Sequence, residues 1–323
     1  MKTKTKKIRW KMIIAFIAFN LVLTVLLAPF IVFWGPFESL KVMAVGSIAT
    51  SRHPQVARLF LSQEKIDELM HAYDSAGTFT GLNVERDKVV TDPSTGITIE
   101  DIKGPNFKGK VMLIKDPKRV QVAVTKEIGV AGERVSDFVK DTGAVAAINA
   151  GGFYDPNGKG NGAFPDGLTV HNGEIVHNNV GNKTVNIVAI DKDGKLIIGD
   201  MSADQIEQKH IKEAVSFYPN LVENGKPAVS GDGGWGIAPR TGIGQTADGT
   251  IIFLVIDGRQ PTWSIGATLR DMMNIFLDYH AVNAVNLDGG SSSELVYNGK
   301  VMNKLWNVFG ERYIPTAFVV MPK

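Results

Sequence analysis

Ala284-Val285-Asn286-Leu287-Asp288-Gly289-Gly290-Ser291-Ser292-Ser293-Glu294-Leu295-Val296-Tyr297 is an apolar run that empties into a carboxylate, two glycines and three hydroxyls before alternation resumes at Leu295. The run suits a buried strand, and the turn after it suits a site. Consecutive glycines let a ligand approach the main chain, and turned N–H groups can form an anion-binding concavity. The plainer reading is a tight turn with solvated serines.

Outward from that turn, a second strand of the same kind lies upstream. Ile251 to Ile256 is strongly apolar and ends in Asp257-Gly258-Arg259. Between the two, Thr268 can cap a helix whose Leu269, Met272, Met273, Phe276 and Tyr279 form one stripe, with Asp271 closing a capping box. Strand, helix, strand is a crossover unit whose strands run parallel in one sheet and end at the same edge. Asp257 and Asp288 are then expected side by side, about 5 Å apart in neighbouring strands or about 10 Å apart with one strand between. Helix Glu133 to Asp141, stopped by Gly143, leads to a short strand Ala144 to Ile148 that places Asn149 at the same edge. Ligands of such sheets bind beyond the carboxyl ends of the strands.

The rest of the soluble part reads as mostly antiparallel sheet. Lys110 to Lys115 and Arg119 to Thr125 predict a hairpin around Asp116-Pro117. Asn172-Gly173 and Asp193-Gly194 turn two further hairpins, 168–170 with 174–176 and 185–190 with 196–198. The loop Asp155 to Gly167 is rich in Gly, Asn, Asp and Pro and of a length usually kept for function. Its Asp155-x-Asn157 start is a poor calcium loop, because Lys159 stands where an oxygen ligand is required. The expected fold is α+β: a mixed, largely antiparallel twisted sheet with a β-α-β crossover and a few helices, preceded by one transmembrane helix.

The chain has 323 residues and 44% hydrophobic composition, enough for a sizeable core. Lys2, Lys4, Lys6, Lys7, Arg9 and Lys11 precede an uncharged run from Met12 to Trp34. That run would span about 35 Å as a helix, enough to cross the hydrocarbon core. The basic flank places the N-terminus in the cytoplasm and the remainder outside, with an uncleaved anchor preferred to a signal peptide. Expected boundaries are a basic tail over 1–11, a signal-anchor over 12–34, a connector over 35–105 carrying a helix at 62–75 capped by Ser62, and a catalytic domain over 106–323. His53 and His71 near that helix read as structural. Without the tail, 29 basic residues face 33 acidic ones, a net charge of −4 that argues against nucleic acid. No cysteine is present, so neither disulfides nor thiolate chemistry is available.

Two carboxylates, a pair of arginines and a glycine-serine turn fit a particular substrate. Carboxylates stabilise the oxocarbenium-like transition state of glycosyl transfer, and arginines with backbone N–H groups hold phosphate. A sugar joined to a phosphate satisfies both.

Ala147-Ile148-Asn149-Ala150-Gly151-Gly152-Phe153, Asp166-Gly167-Leu168, Pro239-Arg240-Thr241-Gly242-Ile243-Gly244, Asp257-Gly258-Arg259, Ser264-x-Gly266-x-Thr268-Leu269 and Asn286-Leu287-Asp288-Gly289-Gly290-Ser291-Ser292 occur in that order. In this ordered set, from about Gly109 to Met321 and closing with Glu311-Arg312, the chain resembles the phosphodiester glycosidase family. Ser291 stands where the family often has a third glycine, and Gly152-Phe153-Tyr154 departs mildly from its usual Gly-aromatic pattern. The resemblance implies hydrolysis of a sugar-phosphate diester, such as an N-acetylglucosamine-phosphate linkage, in cell-envelope or exopolysaccharide metabolism. Asp288 and Asp257 are then expected to act on the reacting sugar, and Arg240 and Arg259 to bind phosphate. Asn149 would hold sugar hydroxyls, with Gly151, Asp166 and Thr241 lining the site. The turn Gly289, Gly290, Ser291 and Ser292 would supply donors. Neither a cofactor nor a metal is expected, since no ligand motif such as HExxH is present, and no G-x-S-x-G elbow supports serine hydrolysis. The alternative is a non-catalytic envelope protein that binds anionic wall polymers or a polysaccharide assembly complex through the same groove.

Overall fold

The computed structural model describes residues 10–36, 41, 44, 45, 48, 55–71, 84–156 and 160–323. His53, the end of the helix expected at 62–75, and Asn157 and Lys159 of the loop lie outside them. Residues 1–69 and 70–323 form separate compact units. In the first, α1 (Trp10–Trp34) contains an apolar segment, Met12–Trp34, with a mean hydropathy of 2.5, long enough to cross a membrane. Two short helices come next, α2 (Gln55–Arg58) and α3 (Gln63–His71). The Ser62 hydroxyl accepts the Lys65 amide at the start of α3, as the expected cap requires.

The second unit holds three antiparallel sheets. In chain order its strands are β1 (Glu85–Asp92), β2 (Ile97–Lys103), β3 (Lys108–Ile114), β4 (Val120–Val124), β5 (Ala146–Asn149), β6 (Leu168–His171), β7 (Glu174–Asn178), β8 (Val185–Ile190), β9 (Leu196–Met201), β10 (Glu213–Ser216), β11 (Asn220–Glu223), β12 (Lys226–Pro227), β13 (Arg240–Thr246), β14 (Ile251–Ile256), β15 (Ala281–Asn286), β16 (Leu295–Tyr297), β17 (Lys300–Val301) and β18 (Thr316–Val320). The largest sheet has the order β1-β2-β3-β14-β13-β15-β11-β12; the others run β7-β6-β10-β8-β9 and β17-β16-β5-β18-β4. Strands β1 and β2 lie within the stretch read as connector, so the large sheet begins well before residue 106.

Inner faces of all three sheets meet in one core, with Phe253 and Val255 of β14, Ile148 of β5, Phe318 of β18 and Val188 of β8 fully buried together. Helix α6 (Leu269–Asp278) covers the other face of the large sheet, so β14 is buried on both sides. That double coverage explains why Ile251 to Ile256 reads as an unbroken apolar run. Each such side chain contributes roughly 1.5–3 kcal/mol relative to exposure. Thr268 and Asp271 form the expected capping box of α6, and its stripe of Leu269, Met272, Met273, Phe276 and Tyr279 is core. Helix α4 (Val135–Thr142) packs Phe138 and Val139 on the β4–β18 sheet and ends at Gly143 in the left-handed conformation. The remaining helix, α5 (Ala203–Gln208), packs Ile206 into the smaller core under β6 and β8.

Strands β14 and β15 run parallel with β13 antiparallel between them, the wider of the two expected spacings. Two expectations fail. Residues 110–115 and 119–125 do not form a hairpin: β3 is already paired on both edges, to β2 and β14, and β4 pairs with β18 in another sheet. Pro117 instead starts a single 3-10 turn, capped by the Asp116 carboxylate on the Lys118 amide. Strand β5 likewise does not join the sheet of β14 and β15 but lies between β16 and β18. Asn149 therefore approaches the opening turn from a different sheet.

Candidate active site

Asp257 and Asp288 leave their strands on either side of the start of β13. A methyl group at Gly258 would strike the Pro239 nitrogen at 2.5 Å, and one at Gly289 would strike the Pro239 carbonyl oxygen at 2.9 Å. Glycine after each aspartate is what lets both chains close on Pro239-Arg240. Gly290 then takes φ +63° and donates its amide to the Pro239 carbonyl, bending the chain into the Gly290–Ser292 turn.

Asn149 stitches this edge together. Its amide nitrogen donates to the Asp288 carbonyl, and its oxygen accepts the Thr241 hydroxyl at 2.8 Å and the Glu294 amide at 3.1 Å. Both Asn149 and Thr241 are buried, so they hold the site's backbone and present no polar atom to a sugar. Gly151 is similarly internal, packed on Val215 with its amide on the Thr316 hydroxyl. Asp166 is exposed and accepts the Asn179 side-chain amide at 3.2 Å.

The Asp288 side chain is half-buried. One oxygen accepts the Gly289 amide at 3.0 Å, and the Ser292 hydroxyl also bonds to it. Burial pushes its carboxyl up to about 6, against the opposing pull of those two hydrogen bonds and the Arg312 charge. Arg312 pairs with Asp155 at 2.8 Å, and its guanidinium lies 5.3 Å from the Phe153 ring.

Asp257 is different. It is buried, and its carboxylate accepts Trp263 Nε1 at 2.7 Å, the Lys304 amide at 3.0 Å and Asn303 Nδ2 at 3.2 Å. Burial raises its pKa, and the three donors offset that rise only in part. None of the groups that hold its carboxylate holds that of Asp288, so the two share an edge but not an environment.

The two arginines also separate. Arg240 is buried, and spends Nε on the Ala267 carbonyl and Nη2 on the carbonyls of Trp235 and Gly236. Burial, and then the neighbouring Arg259 charge, lower it to about 10. Arg259 is held at φ +57°, a left-handed conformation that costs a non-glycine residue about 1 kcal/mol. Its guanidinium lies against Gly290 and 5.3 Å from the Trp306 ring, and no hydrogen bond or ion pair from it is found among the described residues. A cation without a counter-ion beside a glycine-serine turn is suited to an anionic ligand.

Sequence reasoning missed a second carboxylate pair. Glu294 is buried and hydrogen-bonded to Glu311, whose oxygens accept the Ser136 amide and hydroxyl. Burial and the Glu311 charge hold Glu294 protonated far above the ordinary carboxylate range. The closing Glu311-Arg312 dipeptide was the available signal, but nothing local marks Glu294 as its partner. Among the described residues, no cluster of three or more His, Asp or Glu could hold a metal ion.

The phosphodiester glycosidase family model matches residues 142–321. A prophage-derived uncharacterized protein of Bacillus subtilis, YomE, is 29% identical over 199 residues, covering 59% of this chain and 30% of that protein. Bovine N-acetylglucosamine-1-phosphodiester alpha-N-acetylglucosaminidase is 27% identical over 113 residues, 35% of this chain and 18% of that enzyme. The chain thus matches less than a third of the length of either relative. The catalytic domain of the zebrafish enzyme of that name, solved auto-inhibited by its pro-peptide, superposes with a TM-score of 0.58 at 23% identity, covering 77% of this chain and 86% of that one.

Proposed function

Because the chain belongs to the phosphodiester glycosidase family, we propose that it hydrolyses a sugar-phosphate diester outside the cytoplasm, anchored to the membrane by α1. The observation that carries this reading is the juxtaposition of a half-buried Asp288 carboxylate with a turn backed by the Arg259 guanidinium, which has no ion-pair partner among the described residues. Asp288 faces the anomeric carbon and stabilises or captures the positive charge that develops there. Arg259 and the donors of Gly289 to Ser292 bind the phosphate. The C1–O bond breaks, the electron pair leaves with the phosphate monoester, and water supplies the hydroxyl of the released sugar. Phosphate departs readily, so the step needs no strong general acid.

Asp257, whose two oxygens already accept three donors, serves as a positioning residue: it holds Trp263 and the 303–304 segment beside Arg259. Arg240 positions the Trp235-Gly236 loop and raises the local positive potential. The basic residues before Met12 favour a cytoplasmic N-terminus, which puts the sheets on the outer side. The test is to incubate the full chain, in detergent micelles, with UDP-N-acetylglucosamine and with a wall-polymer fragment and to measure released sugar. Turnover that persists in Asp288→Asn sinks the assignment. Polymer binding without turnover would favour the non-catalytic envelope protein instead.

A further inference from the structure

Beside Arg259 the molecule repeats a chemical pattern. The turn Gln260 to Ser264 carries Trp263, and the segment Asn303 to Trp306 runs next to it, tied by the Gln260 side-chain amide to the Lys304 carbonyl. Each end of this pair of segments places cations on an indole. At one end Arg259 lies on Trp306; at the other, Lys108 Nζ sits 3.8 Å and Lys304 Nζ 5.1 Å from the centre of the Trp263 ring. Both tryptophans keep about two-fifths of their surface exposed, 39% for Trp263 and 43% for Trp306.

Trp263, Lys108 and Lys304 open onto a cavity of about 510 Å³. Both other lysines that line it are paired, and Asp87 is a carboxylate at its rim. Lys110 pairs with Asp101 and Lys103 with Glu85, while Asp87 accepts the Lys88 amide. The Asp257 carboxylate accepts three donors. Lys108 and Lys304 have no carboxylate partner among the described residues, and bringing two ammonium groups to one ring is unfavourable until an anion joins them. The indole is fixed by its bond to Asp257, so its exposed surface is preorganised to pack on a sugar.

Resting on the reading of Arg259 as the phosphate ligand, we infer that Trp263, Lys108 and Lys304 form a second anion subsite, which takes the neighbouring phosphate of a polymer of sugar-1-phosphodiester repeats. Alternating cation and exposed indole matches a ligand that alternates phosphate and sugar. The substrate class is therefore a linear glycosyl-phosphate polymer, bound across at least two repeats and cleaved at the one held by Asp288 and Arg259.

Two ligands test it on the full chain in micelles: a short synthetic oligomer of N-acetylglucosamine 1-phosphate repeats, and the methyl phosphodiester of N-acetylglucosamine as a single linkage. Wild-type protein binds the oligomer more tightly, and Lys108→Gln with Lys304→Gln weakens oligomer binding about tenfold more than it weakens single-linkage binding. Lys304→Gln alone, at an exposed position, gives a smaller loss in the same direction and guards against a folding defect in the double variant. Raising the salt concentration narrows the gap, since the subsite is electrostatic. Equal losses on both ligands, or none, overturn the subsite. Binding that depends on the lysines without release of sugar keeps the subsite and removes the hydrolase. Equal cleavage of both ligands by wild type and variants does the reverse.

Discussion

Asp288 and Asp257 end parallel strands of one sheet and are each followed by glycine, yet they occupy opposite environments. Asp288 meets one amide and one hydroxyl and stays half-open; Asp257 is buried under an indole, an amide side chain and a backbone N–H. The difference arises after the Asp-Gly step. Behind Asp288 the small residues Gly290 and Ser291 leave space, whereas behind Asp257 the chain turns through Gln260 and folds Trp263 back onto the carboxylate. A strand-end aspartate is available for chemistry only if the next few residues of the chain leave its oxygens free.

The sharpest way to break this contrast is to exchange each carboxylate for its amide. Asp288→Asn should lower the hydrolysis rate by about 10³-fold or more, within the range expected for a positioned carboxylate. The same variant should be more stable at neutral pH. Folding raises Asp288 from 3.8 to about 6, so the folded state binds the proton more tightly and stability falls as pH rises from about 4 to about 6. Removing the charge recovers about 1–3 kcal/mol at pH 7 and nothing below pH 4, read from thermal melts at the two pH values. For the same reason, hydrolysis by the wild type should fall as pH drops through about 6, where the working carboxylate protonates. A rate that instead falls above that pH would make Asp288 a proton donor.

Arg259→Gln should raise KM about 10- to 100-fold with a smaller change in kcat, the loss of a charged hydrogen-bond donor to phosphate. Asp257→Asn should leave kcat within about tenfold of wild type while costing about 1–3 kcal/mol of stability, because an amide turns one of three satisfied donors into a clash of N–H groups. A folded Asp257→Asn protein with no activity would restore a two-carboxylate mechanism and end the comparison. Glu294→Gln should act on stability and leave hydrolysis least changed. The wild type holds a proton on Glu294 far above its unfolded value, so its stability declines with rising pH above about 4.5; the amide variant should flatten that decline in melts across the neutral and alkaline range.

Much of this architecture was legible because it is written in local pattern. The doubly buried β14 and the α6 cap and stripe arise from runs and periodicities within a dozen residues. The hairpin expected at Asp116-Pro117 did not form, because pairing depends on which edges remain free, and both edges of β3 are taken by strands distant in sequence. At the site, sequence order brought Asn149, Thr241 and Asp288 to one place without telling which were ligands and which were struts. Asn149 is a strut because three segments compete for its amide. Glu294 was invisible because no motif or regular spacing in the sequence marks Glu311 as its partner.

That amide has a practical consequence for anyone wishing to move the site. The turn after Asp288 looks portable, a strand and a few small residues. Yet its main chain is pinned by a side chain from another sheet, and its glycines are shaped to Pro239. Transplanting residues 284–297 into a foreign scaffold would carry Asp288 without its moorings. A useful graft must bring Asn149, Thr241 and Pro239 along as one three-dimensional cassette.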